Sequence, residues 1–183
     1  MADLIHLNGP PGVGKSTIAR RYVVEHPGTL NCDIDVLRTL VGGWAEDFGT
    51  AGSLIRPAAL AMMEAYLTTG HDVVLPQLIA NAAELARIEQ TACEAGAQLV
   101  ERFLMDDLQQ AVDRFHRRGE DEEADPWHAQ VRAIVAAEGG EGLLVRYHRS
   151  LTELIAERPS ALVIWTREGA VDETYQQLID SLG

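Results

Sequence analysis

Short apolar runs alternate along the chain with stretches of helical periodicity. The runs at 4–8, 72–75, 98–105 and 161–165 read as strands, and Asp72-Val73-Val74-Leu75 is the clearest buried one. A weaker run at 29–32 falls where a second strand is needed. Helical patterns cover 15–26, 33–41, 54–69, 81–95, 108–118 and 143–157, and another begins at Asp125-Pro126-Trp127, where proline suits the first helical position. A last amphipathic helix carries Val171, Tyr175, Leu178, Ile179 and Leu182 behind an expected Asp172 cap. In 54–69, Leu60, Met63, Tyr66 and Leu67 share one stripe, whereas 44–53 reads as an irregular, glycine-containing segment. Asn81 with Glu84 approximates a capping box, and Asp106 and Asp107 are expected to cap the helix that follows them. Five strands alternating with helices predict an α/β domain on a parallel sheet. No repeat or low-complexity linker divides it, so residues 1–183 are expected to form one domain.

The first strand runs into Gly9-Pro10-Pro11-Gly12-Val13-Gly14-Lys15-Ser16-Thr17, and a helical pattern follows at once. This fits G-x-x-x-x-G-K-[ST] without a mismatch, in the strand–loop–helix context that the motif requires. Gly9, Gly12 and Gly14 allow backbone angles at which successive N–H groups turn inward around a phosphate. The helix N-terminus adds its own N–H groups and the positive end of its dipole. Lys15 is placed to reach the β- and γ-phosphates, and the Ser16 hydroxyl to ligate Mg²⁺. The chain is therefore read as binding ATP or another nucleoside triphosphate with Mg²⁺. With this loop at the head of the sheet, a P-loop kinase-type core of five parallel strands flanked by helices is the expected architecture.

A second constellation, Asp33-Ile34-Asp35-Val36-Leu37-Arg38, follows the weak second strand. Ligands of open α/β sheets gather outside the carboxyl ends of the strands, so these carboxylates belong to the rim that holds the P-loop. If Asp35 opens the short helix, Arg38 lies one turn later on the same face. A carboxylate there can orient an acceptor hydroxyl and take its proton, and an arginine can clamp the acceptor or the developing charge. A cap at Asp35 with an ion pair to Arg38 is the structural alternative. Val73-Val74-Leu75-Pro76-Gln77 ends without the acid that helps hold Mg²⁺ in a typical ATPase. Mg²⁺ would then rest on Ser16, the phosphates and water, with Asp33 or Asp35 bonding that water. Gln77 and Trp44 are candidates for contact with the acceptor. Arg56 suits an acceptor anion, although a surface arginine at a helix start explains it as well.

A third constellation, Arg114, Arg117 and Arg118, ends the 108–118 helix. Arginines in a last turn complement the helix dipole. They also suit a helical lid, about 114–128, whose arginines close over a triphosphate. Arg114 and Arg118 are the catalytic candidates. Neither His116 nor His128 has a sequence partner that makes it a base, and Trp127 suits either packing or the acceptor pocket.

Composition narrows the partners. With 28 acidic and 15 basic residues the formal charge is −13, and the densest run, Glu120-Asp121-Glu122-Glu123 with Asp125, is acidic. Such a chain repels polyanions unless its cations gather in one cleft, which disfavours a long nucleic acid substrate. No apolar run is long enough for a bilayer span, and no signal-peptide pattern opens the chain. Cys32 and Cys93 form neither a disulfide framework nor a metal-binding spacing, so a reducing, cytoplasmic setting is expected. Oligomeric state stays open.

With its three sites in order, the chain resembles the small P-loop kinases, among them nucleotide and shikimate kinases, chloramphenicol phosphotransferases and 5′-hydroxyl polynucleotide kinases. Asp33-x-Asp35-x-x-Arg38 is similar to the acceptor-hydroxyl Asp and Arg of the last two branches. Val73-Val74-Leu75-Pro76-Gln77, Phe103-Leu104-Met105 and the 114–118 stretch resemble the tunicamycin-resistance ATP-binding proteins, which also carry proline where a Walker-type Asp would stand. The resemblance implies phosphoryl transfer from ATP to a hydroxyl of a small molecule, nucleoside-like or antibiotic compounds included. It also implies that Thr166-Arg167-Glu168-Gly169, and so Arg167, borders the adenine. A 5′-hydroxyl polynucleotide kinase, or a nucleotide-gated protein that binds a ligand without transfer, are the alternatives.

Overall fold

A computed structural model describes residues 1–117 and 126–183. Five strands, β1 (Asp3–Asn8), β2 (Leu30–Asn31), β3 (Val73–Leu75), β4 (Gln98–Met105) and β5 (Leu162–Trp165), form one sheet in the order β2-β3-β1-β4-β5. Every pairing is parallel. Parallel neighbours require crossover connections, and helices supply them: α1 (Lys15–Glu25), α2 (Ile34–Arg38), α3 (Phe48–Leu67), α4 (Ala82–Glu94), α5 (Leu108–Arg117), α6 (Pro126–Ala137), α7 (Glu141–Ala156) and α8 (Val171–Leu182).

Strand period two sorts the core into two layers. Leu4, Val73, Leu75, Phe103 and Met105 face α3, α4 and the Leu151–Leu154 turn of α7. Ile5, Leu7, Val74, Leu104 and Ile164 face α1 and α8 through Ile18, Tyr22, Tyr175 and Leu178. A third, smaller cluster joins α5, α6 and α7 through Val112, Phe115, Val135, Leu143 and Leu144. Phe115, Val135 and Leu143 of this last group line one cavity with the loop that follows β1.

The structure corrects four expectations about element ends. α3 starts at Phe48 and not at 54, because the Asp47 side chain accepts from the Thr50 amide and caps it. Asp33, and not Asp35, is the cap of α2; its Oδ1 accepts from the amides of Asp35 and Val36 at 3.1 and 3.4 Å. Asp106 pairs with the Arg114 side chain further along α5 and accepts from the Asp107 amide, leaving Asp107 to accept from the Gln109 amide. Asp172 sits within the first turn of α8, behind Ala170, which makes no side-chain cap. The Asn81 cap holds, with bonds from the amides of Ala83 and Glu84, but the Glu84 side chain pairs with Arg56 and closes no capping box. Among the described residues no helix is long and apolar enough to cross a membrane.

Candidate active site at the carboxyl ends of the strands

The loop between β1 and α1 is shaped by what its glycines leave out. Gly9 has φ +150°, and a Cβ there would fall 2.2 Å from the Leu104 carbonyl oxygen, so the backbone of β4 occupies the space of a side chain. Gly14, at φ +99°, turns the chain into α1. α2, α3 and α4 each begin with a side-chain cap, whereas α1 begins with none and carries no acid in its first turn. An anion at that end would meet helix amides with no carboxylate competing for them. Gly9, Pro10 and Val13 are buried, Val13 in the α1–α8 layer, whereas Pro11, Gly12, Gly14, Lys15 and Ser16 line a cavity of about 880 Å³. Thr17 is exposed on α1. The Lys15 Nζ donates to the Gly9 and Pro10 carbonyls at 2.8 and 2.9 Å, which folds its ammonium back over the loop. Lys15 is the only lysine in the chain. A compact ammonium therefore stands where phosphates would dock, in a protein whose other basic side chains are all arginine.

The second constellation opens on the same cavity. Asp33, Asp35, Arg38 and Gln77 all line it. Asp33 is buried and already holds the N-terminus of α2. Asp35 is about one-third exposed and faces Arg38 Nη2 at 3.7 Å. Burial pushes the Asp35 carboxyl above the usual range; Arg38 pulls it down, Asp33 adds to the rise, and Lys15 and a bond from Gln77 oppose it. Arg38 is itself buried, its guanidinium stacked 3.8 Å from the centre of the Phe48 ring and packed against the α-carbon face of Gly52. The early start of α3 thus serves the site, because both contacts come from the segment expected to be irregular.

Two polar residues inside β1, neither foreseen as functional, fix the loop that carries Gln77. His6 Nε2–H donates to the Gln77 carbonyl at 2.9 Å, and burial pushes its ring down to about 4, so it stays neutral. Asn8 donates to the Ile79 carbonyl at 2.8 Å and accepts from the amides of Ile79 and Gly9 at 3.0 and 2.8 Å. One side chain therefore ties the start of the P-loop to the segment after β3. A buried polar group in an apolar strand needs a partner, and that was the available signal.

Arg114 and Arg117 of the third constellation are bonded away from the cavity lining. Arg114 pairs with Asp106 at 2.7 Å and donates to the Thr166 hydroxyl at 3.1 Å, tying α5 to the ends of β4 and β5. Arg117 pairs with Glu168 at 2.5 Å, and exposed Arg167 pairs with Glu173. Arg114, Arg167 and Trp44 are not among the residues lining the cavity. Arg118 and the 119–125 run lie outside the described residues, as do the side chains of Trp127 and His128. Arg132 of α6 and Arg146 of α7 line the cavity instead, beside Val131, Val135 and Tyr147, and no motif marked them. Gln130 of α6 donates to the Ala45 carbonyl at 2.5 Å, which fastens α6 to the segment before α3.

The donor set fits Mg²⁺ shared with a nucleotide. Among the described residues no cluster of three or more His, Cys, Asp or Glu side chains could hold a metal alone. Ser16 offers one hydroxyl ligand, with Asp33 and Asp35 across the cavity for its waters. Thiol chemistry finds no support at Cys32, which is buried with its thiol pushed up to about 12.

Solved structures share this architecture. A tunicamycin resistance protein of Deinococcus radiodurans superposes with a TM-score of 0.64 at 18% identity, covering 100% of this chain and 96% of its own. A gluconokinase from Sinorhizobium meliloti 1021 gives 0.63 at 16% identity, with 98% and 91% coverage. An APS kinase of Mycobacterium tuberculosis gives 0.50 at 20% identity, with 100% and 99% coverage. The fold is thus the small P-loop kinase type. No curated protein matches the chain at the level of sequence. The sequence profile described as the AAA domain matches residues 4–137, from β1 to the end of α6, and the chain belongs to that family.

Proposed function

We propose that this protein is a phosphotransferase that moves the γ-phosphate of ATP to a hydroxyl of a small molecule. The observation that carries the reading is one cavity lined both by Lys15 and Ser16 and by the Asp35–Arg38 pair. Lys15, the loop amides and the start of α1 hold the triphosphate, and Ser16 holds Mg²⁺, which supplies charge neutralisation at the phosphates. Asp35 orients the acceptor hydroxyl and takes its proton. The acceptor oxygen forms a bond to the γ-phosphorus as the bond to the β–γ bridging oxygen breaks, and ADP leaves. Arg38, with Arg132 of α6 and Arg146 of α7, meets the negative charge that spreads over the transferring group. The gluconokinase and APS kinase among the structural neighbours support transfer in general, and the tunicamycin resistance protein keeps antibiotic-type acceptors in view.

The first test uses the single lysine. An amine-directed reagent modifies the α-amino group and Lys15, and Mg–ATP is expected to protect Lys15. Mass spectrometry then follows phosphate gain across nucleosides, nucleoside antibiotics, sugars, sugar acids and 5′-hydroxyl oligonucleotides. A product that disappears in both Lys15→Ala and Asp35→Asn supports the reading. Protection by ATP with tight ligand binding but no product favours the alternative of ligand binding without transfer, to which the Pro76-Gln77 ending of β3 lends itself. Labelled oligonucleotide ends would move the assignment to a polynucleotide kinase.

A further inference from the structure

The cavity carries a charge opposite to that of the molecule. Six of the fifteen basic residues line it: Lys15, Arg20, Arg38, Arg56, Arg132 and Arg146. Only three of the twenty-eight acidic residues, Asp33, Asp35 and Glu84, do so among the described residues. A protein with a formal charge of −13 thus keeps an excess of cations in its one large described cleft. These cations come from three parts of the fold. Lys15 and Arg20, whose Nε donates to the Ser16 carbonyl at 3.1 Å, belong to the P-loop and α1, and Arg132 and Arg146 to α6 and α7. Arg38 and Arg56 form one wall, on α2 and α3.

That wall is costly unless it has a use. Arg38 is buried, with its guanidinium lying between Phe48 and Gly52. Burial works against its charge; Asp35 favours the charge, and Arg56 stands close enough to oppose it. Two like charges therefore face one cleft, and their counter-ions are the proposed general base and Glu84, which pairs with Arg56 at the rim. Polar acceptors without charge need no such wall. A planar oxyanion matches it, because guanidinium forks bind carboxylate and phosphate through paired N–H donors.

We propose that the acceptor is a small anion, a hydroxylated molecule bearing a carboxylate or phosphate group that docks on the Arg38–Arg56 wall while its hydroxyl faces Asp35. This rests on the phosphotransferase reading and names its substrate class. The apolar half of the wall, Phe48, Leu78 and Val36, leaves room for a carbon skeleton between anion and hydroxyl.

The test presents the full chain and Mg–ATP with matched pairs that differ by one anionic group: a polyol and its sugar acid, a sugar and its monophosphate, a nucleoside and its monophosphate. ADP release and product mass are read together, with Lys15 protection as the separate readout of ATP binding. The expected result is turnover of an anionic member at a kcat/KM at least about a hundredfold above its neutral partner. Arg56→Gln then raises the acceptor KM by about tenfold with the ATP KM unchanged, and Arg56→Lys recovers part of the loss. Arg56 is half-exposed, so neither variant threatens the fold. Equal or better turnover of a neutral member overturns this proposal and leaves phosphoryl transfer standing. An unchanged acceptor KM in Arg56→Gln overturns the wall as the anion site. Absence of any product alongside full ATP protection overturns the phosphotransferase reading and this proposal with it.

Discussion

Asp35 is held in a place that suits its proposed chemistry and not its own charge. Burial raises its carboxyl above the usual range even with Arg38 at 3.7 Å. The folded state therefore binds that proton more tightly than the unfolded chain does. The resulting stability is full below the ordinary carboxylate value and is lost as pH rises through the raised one. Asn resembles the protonated acid, so Asp35→Asn should be no less stable than the parent at pH 7, and any gain in Tm should fade as both are taken to acid. Its kcat should fall by about a hundredfold or more, the usual worth of a positioned base. The parent's kcat/KM should also lose its acid limb at a pH above that of an ordinary carboxylate. A variant that melts well below the parent at pH 7 would show that Asp35 is a structural ion pair first. The place of this residue was legible in the sequence, because an acid just after a strand end belongs to the rim that holds the P-loop. Its neighbour was misjudged because either aspartate could cap α2, and only the backbone path after β2 decides that Asp33 does so.

At the scale of elements, the strands and the P-loop were readable because local pattern and final environment agree. β4 runs over Gln98–Met105 as its apolar run predicts, and β1 ends where the glycines begin. The first turns of α3 were not readable. Phe48-Gly49-Thr50-Ala51-Gly52-Ser53 has poor helix propensity, and Pro57 follows within the helix. Tertiary contact overrides that composition, since Gly52 is what lets α3 approach the Arg38 guanidinium. A Cβ on Gly52 would lie 3.1 Å from Arg38 Nη2, tight enough that the guanidinium must shift by a few tenths of an ångström. Ala is favoured over Gly within a helix by about 1 kcal/mol, so the two effects oppose each other in stability and not in function. Gly52→Ala should therefore keep or raise Tm while it raises the acceptor KM by about fivefold or more, as expected when a charged hydrogen-bonding group is displaced. Unchanged kinetics in a stabilised variant would mean that the position of Arg38 does not matter to the acceptor. The lid was the least legible part of the site. Arginines ending α5 looked suited to phosphate, yet Arg114 and Arg117 are committed to Asp106, Thr166 and Glu168. Arg132 and Arg146 reach the cavity only because α6 and α7 fold back over it. Sequence spacing carries no sign of that return.

Over the whole molecule, the charge is sorted between inside and outside. With six cations and three acids lining the cavity, eight cations and twenty acids lie elsewhere among the described residues. The exterior repels itself, which costs stability, while the cleft draws anions through a repelling shell. Salt acts on both, and the two effects have opposite value to the protein. Screening shortens from about 10 Å at 0.1 M to about 3 Å at 1 M, so added NaCl weakens exterior repulsion and cleft attraction together. Raising NaCl from about 0.05 to 0.5 M should therefore raise Tm by a few degrees while KM for both ATP and acceptor rises severalfold. A neutral bond at α6 makes the expectation sharper: the Gln130 side chain holds α6 to the Ala45 carbonyl, a contact that salt does not loosen. The change in KM should then follow from charge in the cavity and not from an opened lid. Thermal melts and initial rates over one salt series measure both quantities on one preparation. If Tm and KM failed to rise together, the sorting of charge would not be what governs either, and the anionic acceptor would lose the field proposed to draw it in.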